Sequence, residues 1–177
     1  LGDDGLVCYT IIAYVNTLII NTMLGISQGS QPLVSFHYGK EDAAGYRRLL
    51  RYGFAAVGVM TAVICAGVMA FAPQIAGIFL GNENPGLVAD AAGALRRYGL
   101  CYLLLGGNIL MGGFLTAVER PTGAICISVG RGLAFQAAAL AVLAFTVGGS
   151  AIWYAPVISE AVCAVMAVWF LRRFLRS

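Results

Sequence analysis

The sequence predicts an all-α membrane protein with five transmembrane helices. Hydrophobic residues make up 60% and charged residues 11% of the 177 positions. In soluble domains, about half of the residues are apolar and about a quarter are charged. The mean hydropathy is +0.85. Five apolar runs approach or exceed the roughly 20 residues that a helix needs to cross the hydrocarbon core. No alternation of apolar and polar residues is long enough to favour membrane strands instead.

The five predicted spans define the organisation of the chain. They cover about residues 6–24, 52–80, 98–118, 122–147 and 152–170. Lys and Arg collect after the first, third and fifth spans, which predicts that these connections and the C-terminus are cytoplasmic. Arg96 and Arg97 lie at the opposite end, where we expect an amphipathic lead-in whose long side chains extend outward. The Arg-rich stretch 43–51 predicts a short amphipathic helix on the cytoplasmic surface.

The stretch 25–40, GISQGSQPLVSFHYGK, is expected to interrupt the first helix. Gly25 and Gly29 weaken helical continuity, and Pro32 removes one backbone donor. Gln28 and Gln31 place amide groups beside that weakened backbone. Within a bilayer, freed backbone groups are tolerated only where protein or a water-filled cavity satisfies them. We therefore expect this stretch to face a polar path or the protein interior.

The same stretch resembles a signature of the multidrug and toxic compound extrusion (MATE) family, which reads close to G-x-x-Q-G-x-Q-P-L-x-x-x-N-Y-G. Two further segments support the resemblance, GNILMGGFLTAVERPTG at 107–123 and WYAPVISE at 153–160. His37 stands where the family usually has Asn. The resemblance implies helices 8 to 12 of a twelve-helix transporter, and so most of its second six-helix bundle. Because Leu1 is not an initiator Met, we expect the chain to belong to a longer protein.

The function implied by the resemblance is secondary active multidrug efflux. Entry of H+ or Na+ would drive export of amphipathic, often cationic compounds by alternating access, and no other cofactor is expected. The expected partners are small-molecule drugs or organic cations, the lipid bilayer and the missing N-terminal bundle. Two alternatives remain open, a lipid-linked saccharide flippase of the same superfamily and a non-transporting membrane scaffold. The flippase should line its cavity with several basic residues.

Polar residues inside apolar spans are the candidates for the substrate cavity, because a membrane interior penalises unpartnered polar groups. They are Asn16, Asn21, Gln28, Gln31 and Asn108. For Asn16, Asn21 and Asn108, an interhelical hydrogen bond is as good an explanation as a cavity position. For Gln28 and Gln31, the expected helix break favours the cavity.

Arg131 and Glu160 are the only base and the only acid deep in the apolar runs. Each would cost several kcal/mol if unpaired, so partners are expected, although the two need not pair with each other. A structural role is favoured over a part in cation coupling. The resemblance adds that the position near Leu105, where some branches of the family carry a coupling Asp, is apolar.

The remaining residue types exclude several other functions. The single histidine, His37, has no acid at useful spacing for a catalytic triad or metal site, and neither a nucleophile elbow nor a phosphate loop occurs. The five cysteines lie singly, without metal-binding spacing. The net charge of +3 fits the membrane topology and predicts no nucleic-acid binding. The chain is therefore not expected to be an enzyme.

Overall fold

The fold consists of helices joined by short turns in the residues that the structure, a computed structural model, describes: 2–81, 84–147 and 149–176. Within these ranges seven α-helices follow in order: α1 (Gly2–Gly39), α2 (Ala43–Leu80), α3 (Pro85–Gly99), α4 (Tyr102–Ala117), α5 (Pro121–Val129), α6 (Phe135–Thr146) and α7 (Ala155–Arg176). A π-helical turn, Gly130–Ala134, joins α5 to α6, and a 3-10 segment, Gly149–Tyr154, precedes α7. None of the described residues forms a β-strand. The predicted all-α membrane class is confirmed.

The described helices are long and apolar enough for four membrane spans, or five if α3 and α4 form one broken span bent by 45°. In that case the third crossing would begin at Pro85, before the predicted residue 98. Helices α1 and α2 have 38 residues each. At about 1.5 Å per residue, both are much longer than a hydrocarbon core of about 30 Å. The stretch 43–51, predicted as a short amphipathic helix that leads into the second span, is helical and forms the beginning of α2 without a break.

Helix α4 lies at the centre of the bundle and contacts α1, α2, α5 and α7. Most of its residues from Leu105 onward are buried. Glycine allows this close packing, since a Cβ at Gly106 would lie 2.6 Å from Thr61 Cγ2 and 3.1 Å from Met23 Sδ. The other helices of the bundle are thus arranged around α4.

Helix α1 continues through Pro32, so the predicted interruption of this helix is wrong. A proline ring fixes φ near the helical value and removes one N–H, and neighbouring helices can hold such a segment in place. Ser27 Oγ donates to Ile109 O at 3.3 Å, and Ser35 Oγ donates to Ala117 O at 3.1 Å. These bonds attach α1 to the parallel helix α4 on both sides of the proline. One face of the segment is therefore covered by protein.

A second proline, Pro73, lies inside α2. It provides no N–H for the carbonyl of Met69, four residues earlier. The Nε of Arg96 in α3 donates to this Met69 oxygen at 3.1 Å. Arg96, which was expected to extend outward, instead turns toward α2 and supplies the donor that the proline lacks.

Candidate functional site

A small polar cavity of about 190 Å³ lies between α1, α4, α5 and the π-helical turn. Four of the predicted site residues meet there, although they come from three separate parts of the chain. The polar side chains that line the cavity are Ser27, Gln28, Gln31, Asn108, Thr116, Ser128 and Arg131. Of these, only Arg131 carries a charge, and no acidic side chain reaches the described lining. The cavity therefore offers mainly hydrogen-bonding groups.

Gly113 lets α1 approach this part of α4. A Cβ at residue 113 would collide with Ser27 Oγ and would lie 2.9 Å from Gln31 Nε2. Ser27 is only 2% exposed, so it has little room to move aside. The missing side chain at Gly113 thus brings the Gln31 amide against the cavity wall.

Asn108 is bonded twice to Glu160 of α7. Its Nδ2 donates to Glu160 Oε2 at 2.6 Å and to the Glu160 backbone oxygen at 2.9 Å. Because both partners are oxygens, the amide nitrogen must face α7, which fixes the orientation of the Asn108 side chain. Asn108 thus combines the two roles left open by the sequence, since it forms an interhelical hydrogen bond and lines the cavity.

Arg131 and Glu160 form the ion pair that the sequence left open. Arg131 Nη1 lies 3.5 Å from Glu160 Oε1, and the side chains are 20% and 7% exposed. Both carboxylate oxygens therefore have donors, one from Arg131 and one from Asn108. Removing one member of a buried pair costs about 3–5 kcal/mol, because it leaves the other charge uncompensated. Asn108, Arg131 and Glu160 together tie α4, the π-helical turn and α7.

The π-helical turn that carries Arg131 was not predicted. It is closed by the N–H of Phe135, which donates to Gly130 O five residues earlier. Ser159 of α7 donates its hydroxyl to Arg131 O at 3.4 Å. π-Helical turns are rare and frequently occur at functional sites. Its only sequence signal is the Gly-Arg-Gly run at 130–132, which also fits an ordinary flexible helix.

Asn16 and Asn21, the other two predicted cavity residues, do not line this cavity. Asn21 is exposed on the surface of α1. Asn16 Oδ1 is buried and has no hydrogen-bond partner among the described residues. Their assignment to a substrate path remains a prediction.

His37 lies at the connection between α1 and α2, away from the cavity. Its Nδ1 is 2.7 Å from Asp42 Oδ2, and the other Asp42 oxygen accepts a 2.9 Å hydrogen bond from the Gly45 N–H. Asp42 therefore caps the start of α2. The Gly45 N–H, and then the His37 ring, hold the pKa of Asp42 below its ordinary value, because both contacts favour the ionised carboxylate.

The family assignment follows from the sequence as a whole, because the profile of the MatE family matches residues 1–138. The chain belongs to the MatE family. It is a membrane protein with several spans, and MatE proteins are transporters. Both the stretch 25–40 and the segment 107–123, which carried the resemblance, lie within the matched region. No curated protein matches the chain.

Solved structures support the same fold for this MatE chain. A MATE protein in complex with MaL6 aligns with a TM-score of 0.89 at 20% identity, over 97% of this chain and 39% of that protein. A multidrug resistance MATE family transporter of the MOP superfamily, in its outward-facing conformation, aligns with a TM-score of 0.88 at 20% identity and the same coverages. A MOP superfamily transporter from Pyrococcus furiosus aligns with a TM-score of 0.88 at 21% identity, again over 97% and 39%. The chain thus spans about two-fifths of the length of these proteins.

Proposed function

We propose that this chain forms most of the C-terminal bundle of a secondary active multidrug exporter. In the complete protein, an N-terminal bundle would face it across a central cavity, and rocking of the two bundles would expose that cavity to each side of the membrane. Entry of H+ or Na+ would drive export of amphipathic, often cationic compounds. The ends rich in Lys and Arg, including the C-terminus, would face the cytoplasm. The chain would carry no enzymatic activity.

The polar cavity between α1 and α4 is the observation that carries this proposal. Pockets that enclose a drug-sized molecule typically have volumes of about 300–1,000 Å³. At about 190 Å³, the cavity is too small to enclose such a molecule but suits one wall of a larger site. Gln28, Gln31 and Asn108 would supply its polar contacts.

The charges of the cavity separate this proposal from its rivals. A lipid-linked saccharide flippase should present several bases to its substrate, and Arg131 is the only base that lines the described cavity. A membrane scaffold would need only packed helices and gives no reason to collect amides around an internal space. The same cavity has no lining acid to attract an organic cation. We therefore place that attraction, and the coupling carboxylate, in the missing bundle.

Dye efflux by cells that produce the complete protein tests the proposal directly. Efflux should require a proton or sodium gradient and should stop when that gradient is collapsed. Gln31→Ala and Asn108→Ala should each reduce efflux of several substrates. Thr17→Ala provides a control, since Thr17 is exposed and its hydroxyl bonds only within α1, to Ala13 O. Wild-type efflux by both cavity variants would remove the cavity assignment, and gradient-independent efflux would remove the coupling mechanism.

A further inference from the structure

A basic cleft of about 480 Å³ lies where α5 begins and α7 ends. This is the end of the bundle that the proposed orientation assigns to the cytoplasm. The floor of the cleft is apolar and is formed by Leu115, Phe170 and Phe174, whereas Arg120 and Arg173 stand at its rim. A neighbouring cavity shares Arg173 and adds Arg172 and Arg176. The bundle thus presents basic groups directly beside an apolar surface.

The arginines of this cleft have no acidic partner among the described residues. Ion pairs among the described residues join His37 to Asp42 and Arg131 to Glu160, so neither of the two cleft guanidiniums lies within 4 Å of a described carboxylate. Of the described residues that line the cleft, Glu119 is the only acid. Basic side chains therefore outnumber acidic ones, and the cleft attracts anions.

The cleft has a defined shape because Phe174, part of its floor, packs against other aromatic rings of the bundle. The Phe174 ring packs 5.8 Å from the Tyr46 ring and 5.7 Å from the Phe114 ring, centroid to centroid. On the outer side, the Arg173 guanidinium lies 5.6 Å from the centroid of the Trp169 ring. A cation–π contact of this kind orients the charge at the membrane interface, where Trp is enriched.

The combination of an apolar floor and a basic rim matches an amphiphile better than a soluble anion. A free phosphate would use the arginines but would leave the partly exposed rings of Phe170 and Phe174 in contact with water. A lipid would cover these rings with its acyl chain while its phosphate reached Arg120 and Arg173. Basic pockets between membrane helices on the cytoplasmic side are known to bind anionic lipid headgroups.

We propose that the cleft formed by Arg120, Arg173, Leu115, Phe170 and Phe174 is a specific site for an anionic phospholipid of the cytoplasmic leaflet. The lipid phosphate lies between the Arg120 and Arg173 guanidiniums, and one acyl chain runs along Phe170. This inference rests on the orientation given under the proposed function. It does not depend on antiport, so lipid binding and transport can succeed or fail independently.

Titration of the purified full-length protein with phosphatidylglycerol, followed by native mass spectrometry, tests the site. Arg120→Gln combined with Arg173→Gln should weaken binding roughly 30-fold, since each basic side chain near an anionic lipid contributes a factor of about five. Arg47→Gln combined with Arg48→Gln is the matched control. It removes the same charge from exposed positions at the same end of the bundle and should change binding less than threefold.

Three further results decide between the specific site and its rivals. Equal weakening by the two double variants would mean diffuse attraction to the basic surface and would overturn the proposal. Displacement of the lipid by inorganic phosphate at equal concentration would identify a simple anion site and would overturn it as well. If the Arg120→Gln, Arg173→Gln double variant fails to fold, the single variants Arg120→Gln and Arg173→Gln decide, because each should bind the lipid about fivefold more weakly. Unchanged binding in both single variants would refute the site.

Discussion

The bond from Arg96 to the Met69 carbonyl gives the sharpest test of how this bundle is held together. Pro73 has no N–H for that carbonyl, and Arg96 Nε occupies the position at 3.1 Å. Hydrogen bonds to charged groups contribute about 1.5–3 kcal/mol. Because Arg96 is exposed and its bond competes with water, we expect the low end of this range or less, about 1 kcal/mol.

A double-mutant cycle isolates this contribution. Arg96→Ala in the wild-type background should lower the free energy of unfolding by about 1 kcal/mol, since the Met69 carbonyl then has no donor. Pro73→Ala restores the helical N–H, so the Arg96→Ala change should cost little in that background. The coupling free energy between the two positions should therefore be about 1 kcal/mol.

The unfolding free energies are measured on the full-length protein in mixed micelles by titration with sodium dodecyl sulfate. Arg97→Ala controls for the loss of a positive charge one residue away and should show no coupling to Pro73→Ala. If Arg96→Ala costs the same in both backgrounds, Arg96 does not replace the donor that Pro73 lacks. The explanation of the tolerated proline would then be wrong.

Three other predictions follow from the site and the helix cap. Gly113→Ala should destabilise the protein by about 1–3 kcal/mol in the same assay, because its Cβ would force α1 from α4, whereas Gly107→Ala should be tolerated, since its nearest neighbour lies 3.6 Å away. If the ion pair is structural, Glu160→Gln should lower the free energy of unfolding by up to about 3–5 kcal/mol, because Arg131 loses its counter-charge, but should preserve membrane insertion and most dye efflux; loss of gradient-driven efflux with normal insertion would assign Glu160 to coupling. The depressed pKa of Asp42 means that its cap stabilises the protein fully above the ordinary carboxyl pKa of about 4, and that this stability is lost as the pH falls through the lower folded pKa. In thermal unfolding from pH 5 to 2, Asp42→Asn should therefore lose less stability than the wild type, and parallel curves would contradict this.

Hydropathy was sufficient to predict the fold class, because a bilayer imposes a length and a composition on every spanning helix. The sequence did not predict the uninterrupted helix of the first span or the bend between α3 and α4. Pro32 predicts a break only while its surroundings are unknown, and here Ser27 and Ser35 hold the helix against α4. The bend between α3 and α4 likewise carries no proline at the break itself. Local helix propensity therefore did not predict the continuity of α1 or the bend between α3 and α4, because tertiary contacts determine both.

The partners of the site residues could not be predicted for a more general reason. Six of the described hydrogen bonds between helices end on a backbone carbonyl, with donors from Ser27, Ser35, Arg96, Asn108, Ser159 and Cys163. Every residue type has a backbone carbonyl that can accept a hydrogen bond. The sequence therefore identifies the donor side chain but does not indicate which residue provides the acceptor. The Arg131–Glu160 pair is different, because both residue types are rare in a membrane interior and each of them is therefore expected to have a partner.

These carbonyl contacts also bear on how the bundle would move during the proposed transport. Ser159 and Cys163 of α7 donate to Arg131 O and Ile127 O, respectively. Helix α7 therefore packs antiparallel to α5 and the π-helical turn. Together with the bonds from α1 to α4 and from α3 to α2, they connect neighbouring helices through backbone carbonyl acceptors. A side-chain substitution at the acceptor residue does not remove its carbonyl, so each bond depends only on its donor. A bundle tied in this way resists sliding of one helix past another. Rocking of the bundle as a rigid unit, the motion through which the proposed alternating access would operate, is therefore the motion that these contacts favour.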